Sequence, residues 1–149
     1  MPWEVILPVL LAAADAPGDA RQRLMNKIEA SVRLPKGARS LNGYARYYAY
    51  RTPDKVLAVY VIPSPPPDNR GCAVVTKDMG SRPCTQAEIK EMIDSFAERA
   101  ARQLPAGKRR WLKSPHDMPN LSDGGCRQVT IEYSIASNRF LVVQCNGLG

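Results

Sequence analysis

YARYYAYRTPDKVLAVYVI, Tyr44 to Ile62, decides the fold. Aromatic and β-branched residues, which strands favour, flank Thr52-Pro53-Asp54-Lys55, and a proline in second place suits a tight turn. The stretch predicts a β-hairpin with Arg51 opposite Val56, Ala49 opposite Ala58 and Tyr47 opposite Tyr60. A second hairpin is predicted at the far end, Arg127 to Asn146. There QVTIEYSI and RFLVVQCN alternate around Ala136-Ser137-Asn138, and asparagine tolerates the left-handed conformation such a turn needs. A four-residue loop sets Ser134 against Arg139 and Cys145 against Gln128.

A helical pattern precedes each hairpin. Leu24, Ile28 and Val32 recur at four-residue spacing, which predicts a helix from Asp19 to Val32 with Asp15 or Asp19 as its cap. Leu34-Pro35-Lys36-Gly37 stops it. The second helix is better marked. Thr85-Gln86-Ala87-Glu88 is a capping box, in which each end residue's side chain satisfies the other's backbone N–H. Ile89, Met92, Ile93, Phe96, Ala97 and Ala100 follow as one stripe, predicting a core-facing helix from Gln86 to Gln103.

Between the two halves lies Pro63-Ser64-Pro65-Pro66-Pro67-Asp68-Asn69-Arg70-Gly71. Its prolines lack the N–H that a sheet interior requires, so residues 63–71 read as a surface loop. Cys72 to Thr76 reads as a short strand and Lys77 to Pro83 as a turn-rich loop. The fold expected is α+β: two helices packed on an antiparallel sheet of four to five strands, in the order α-hairpin-α-hairpin, as a single domain.

Val5 to Ala14 (VILPVLLAAA) is uncharged and ends in small residues, the form of a signal-peptide core and its cleavage site. It is too short for a bilayer, which needs about 20 apolar residues. Met1–Ala14 is therefore read as a signal peptide and residues 15–149 as the exported domain, periplasmic or secreted. Met1-Pro2-Trp3-Glu4 lacks the basic side chain that such a leader carries. The competing readings are a start upstream of Met1, or a structural strand or helix.

The 4 cysteines fit that compartment, because an even count is what an oxidising environment uses. Cys72 and Cys84 bracket the turn-rich loop, and Cys126 and Cys145 bracket the last hairpin. The expected bridges are Cys72–Cys84 and Cys126–Cys145, the latter within reach if the strand entrance bulges. Four reduced thiols are the competing reading. No C-x-x-C exists, so neither a redox motif nor a zinc site is expected, and no cofactor is implied.

No motif selects a reaction. His116 is the only histidine, so a small hydrolase would have to use it. It lies in a proline-flanked loop, where a solvated role is the plainer one. The carboxylates Asp54, Asp117, Asp123 and Glu132 show no paired spacing. The remaining signal is basic and aromatic, on a chain of net charge +7. Tyr44 to Arg51 and Lys108 to Lys113 supply the candidate ligand-binding residues Arg46, Tyr48, Arg51, Lys108, Arg109, Arg110 and Trp111. These suit a polyanion such as nucleic acid, acidic polysaccharide or lipid headgroups. The leading expectation is a disulfide-stabilised binding or structural module without catalysis. A polyanion-binding protein is the alternative, and a hydrolase the third reading.

Overall fold

A computed structural model describes residues 16–147. The signal-peptide reading of Met1–Ala14 lies outside them. The chain divides into two compact units, one ending at Val32 and one running from Arg33. The first contains α1, Pro17–Ser31, with Met25 and Ile28 buried. Ala16 occupies the cap position without a side-chain bond, so the predicted aspartate cap is not made. Proline at the first position has no N–H to leave unpaired there, and the acidic Asp19 in the first turn suits the helix dipole.

The second unit holds β1 (Ala45–Thr52), β2 (Lys55–Val61), β3 (Ala73–Val75), β4 (Ser81–Pro83), α2 (Gln86–Arg102), β5 (Arg109–Trp111), β6 (Gly125–Ser134) and β7 (Arg139–Asn146). Five strands form one sheet in the order β5-β1-β2-β6-β7, and β3 pairs with β4 alone. The chain is thus α+β. The sheet is mixed rather than purely antiparallel, because β5 lies parallel to β1.

Both predicted hairpins form, but the first is shifted. A bulge between Tyr50 and Thr52 places one extra residue on β1, so Tyr50 faces Val56, Tyr48 faces Ala58 and Arg46 faces Tyr60. Side chains alternate along a strand, so this one-residue slip exchanges the two faces. Tyr48, not Tyr47, shares a face with Tyr60. That face continues through Val129, Ile131 and Tyr133 on β6, and these residues with Tyr44, Tyr48, Val56 and Tyr60 are buried. On the opposite face Arg51 and Lys55 both reach Glu132, at 3.6 and 3.8 Å.

The second hairpin keeps Ser134 opposite Arg139, with Asn138 at φ 54°. Its entrance bulges: Gly125 faces Asn146 whereas Val129 faces Cys145, so Cys145 does not face Gln128 as predicted. The three residues looped out there bring Cys126 beside Cys145.

Helix α2 carries the predicted capping box between Thr85 and Glu88. It has no buried residue, and Ile93 is 44% exposed, so the expectation of a stripe packed into a core is corrected. Beyond Phe96 the stripe is alanine, which offers little apolar area to drive burial. Local terms hold the helix instead. Arg82 from β4 makes a bidentate pair with Glu88, at 2.7 and 2.9 Å, and Lys90 pairs with Asp94 one turn on.

Candidate functional site

Two disulfides form, Cys72–Cys84 and Cys126–Cys145, with Cα separations of 5.4 and 4.5 Å. No cysteine is left free. The first bridge closes the open end of the β3–β4 hairpin, whose second strand falls in the stretch predicted as loop. Cys84 N–H also donates to Cys72 C=O at 3.0 Å, so the ladder and the bridge reinforce each other. No helix among the described residues is long and apolar enough to cross a membrane.

The basic and aromatic candidates separate according to strand alternation. Arg46 is buried, and its guanidinium donates to the carbonyls of Leu41 and Gly107 at 2.9 and 3.4 Å. Tyr48 is fully buried, with its hydroxyl 2.8 Å from that of Tyr60. Trp111 stacks on Tyr48 at 6.2 Å between ring centroids and meets Tyr50 edge-on at 4.8 Å. These rings are packing, and an aromatic pair of this kind prefers such offset geometry.

Lys108 and Arg110 are exposed on the β5 edge, Arg109 is half-buried on the Trp111 face, and Lys113 is exposed just beyond. Arg51 lies beside Glu132, on the face that Arg110 shares and opposite to Trp111. The candidates thus divide between the two faces of the sheet, with Arg46, Tyr48, Arg109 and Trp111 on one and Arg51 and Arg110 on the other. His116 is exposed in a short 3-10 turn, where its backbone N–H donates to Ser114 Oγ at 3.2 Å. Among the described residues no hydroxyl or carboxylate hydrogen-bonds its ring, and no group of acids, cysteines and histidine is placed to hold a metal.

A groove of about 290 Å³ that the sequence did not mark is lined by Arg39, Ile62, Pro63, Pro65 and Arg127. Its residues come from a loop before β1, the start of the proline-rich segment and β6. A smaller cavity of about 80 Å³ lies between Tyr47, Leu104, Pro119 and Leu121 and is mainly apolar. No family model matches this chain, and no curated protein or solved structure is found to match it.

Proposed function

We propose that residues 15–149 are an exported domain, periplasmic or secreted, that acts as a disulfide-stabilised binding or structural module without catalysis. The observation that carries this reading is the pairing of all four cysteines in two local bridges. Such bridges persist in oxidising compartments and are rare in the cytosol. Surface features suit binding more than chemistry: α2 leaves an apolar stripe half-exposed, and a cleft with two arginines opens beside the proline-rich segment. Mass spectrometry of the protein from its native host tests the export reading. A mature chain starting near Asp15 or Pro17 supports it, and a retained Met1 in cytosolic material overturns it.

A second reading, polyanion binding, draws on Lys108, Arg110 and Lys113. All three are exposed and make no ion pair among the described residues. Arg51 is exposed too but pairs with Glu132, Arg109 and Trp111 are half-buried beside this edge, and Arg46 and Tyr48 support it from the core. Binding to heparin that falls on K108A, R110A and K113A together would favour this reading, and unchanged retention would remove it.

A further inference from the structure

The groove between Arg39 and Arg127 is built on fixed backbone. Tyr44 is fully buried, and its hydroxyl accepts from Arg39 N–H at 3.0 Å while donating to Cys126 C=O at 2.7 Å. Arg127 N–H donates to Gly124 C=O at 3.0 Å, and Arg127 C=O accepts from Ile62 N–H at 2.8 Å. One tyrosine hydroxyl and one strand-end bond thus tie three distant segments together. The Cys126–Cys145 bridge anchors the same corner covalently.

The walls are equally constrained. Pro63 and Pro65 have fixed φ, and Ile62 continues directly from β2. Gly43 leaves room for the Arg39 stem, because a Cβ there would stand 3.2 Å from Arg39 Cβ. Neither guanidinium has an acidic partner among the described residues. The groove, at about 290 Å³, falls just below the roughly 300–1,000 Å³ of drug-sized ligand pockets, so it suits a small ligand.

Two arginines without a carboxylate between them, on a chain of net charge +7, create a positive concavity. A guanidinium is planar and presents its donors as a fork, which matches the paired oxygens of carboxylate and phosphate. The remaining lining is apolar. We infer that this groove is a binding site for a small ligand carrying one oxyanion, a carboxylate or a phosphate monoester, on an apolar body. Arg39 and Arg127 hold the oxyanion, and Ile62, Pro63 and Pro65 receive the apolar part. The site is independent of the export reading and shares no residue with the β5 edge.

Amide NMR titration of the full chain, with both disulfides intact, tests it. The probes are phenyl phosphate and benzoate, with phenol as the uncharged counterpart. Saturable shifts at Arg39, Ile62 and Arg127 are expected with at least one anion, at a Kd on the order of 1 mM, and none with phenol. The tighter anion identifies which oxyanion the site takes. Arg39→Gln and Arg127→Gln should each weaken binding about tenfold, equivalent to about 1.4 kcal/mol. K108Q should leave it unchanged and separates this site from general attraction to a basic protein. Absence of shifts with both anions, equal binding of phenol, or wild-type binding by both arginine variants would overturn the inference.

Discussion

The hydroxyls of Tyr48 on β1 and Tyr60 on β2 lie 2.8 Å apart inside the core, diagonal to one another across the strand pair. They share a face only because the bulge after Tyr50 shifts the register. Each ring also meets the other edge-on, with centroids 5.9 Å apart. The pair is therefore a specific polar bond set within an aromatic cluster. Removing one partner should cost more than its volume suggests, since the other hydroxyl loses this bond inside the core.

Tyr48→Phe and Tyr60→Phe should each lower stability by about 1–2 kcal/mol in urea unfolding. The double variant should be more stable than the sum of the two losses implies, as expected for residues in contact. Strict additivity would show that the two hydroxyls do not act on each other.

Helix α2 should respond to its cap more than its position in a core. Thr85→Ala removes the acceptor for Glu88 N–H, at 3.2 Å, and should cost about 1 kcal/mol. Phe96 is only half-buried, so Phe96→Ala should fall clearly below the roughly 3–5 kcal/mol typical of a core phenylalanine. Equilibrium unfolding of the two variants checks both values. A loss at Phe96 within the core range would mean that the stripe is covered in solution.

Acid should loosen the same helix end. Hydrogen bonds from Arg82, then from the Thr85 backbone, hold the Glu88 carboxyl down from 4.5 to about 2. A carboxyl depressed in the folded state stabilises it above the unfolded pKa, and that contribution disappears as pH falls through the folded value. The stabilisation from Glu88 should therefore be intact above about 4.5 and lost progressively towards about 2. Glu88→Gln should flatten that part of the profile when amide exchange in α2 is followed against pH. An unchanged profile would contradict the role given to the Arg82 pair.

Which features were legible follows from how local they are. The capping box of α2 spans Thr85 to Glu88, and each cysteine pair closes a short loop of 12 or 19 residues, so spacing alone places them. The turn at Asn138 likewise carries its own geometry. The bulge after Tyr50 has no glycine or other marker, and it reversed the expected faces of β1. Strand β5 reads as a solvated basic run until β1 is beside it, because its partner is distant in sequence. The Arg39–Arg127 groove is hidden for the same reason: the Tyr44 hydroxyl and the backbone bond of Ile62 bring together sides that are distant in sequence. Amphipathic spacing in α2 specified a helix and a face, but not a partner for that face.

The bridge at Cys126–Cys145 should contribute to the global stability of the sheet. By loop closure, a bridge spanning 19 residues is worth about 3 kcal/mol, so Cys126→Ser with Cys145→Ser should lower stability by that order. Because Cys126 C=O also accepts from Tyr44, the double variant should disturb the Arg39 amide in NMR as well. A stability loss with no change at Arg39 would separate the bridge from the groove.

Export and the disulfide-stabilised module both turn on the state of the four cysteine thiols in the native compartment. Protein purified from its host without reductant, alkylated under denaturing conditions and mapped by peptide mass spectrometry, should show no reactive thiol. It should yield two linked peptide pairs, Cys72 with Cys84 and Cys126 with Cys145. Four alkylated cysteines in that material would contradict both the disulfide-stabilised module and its export.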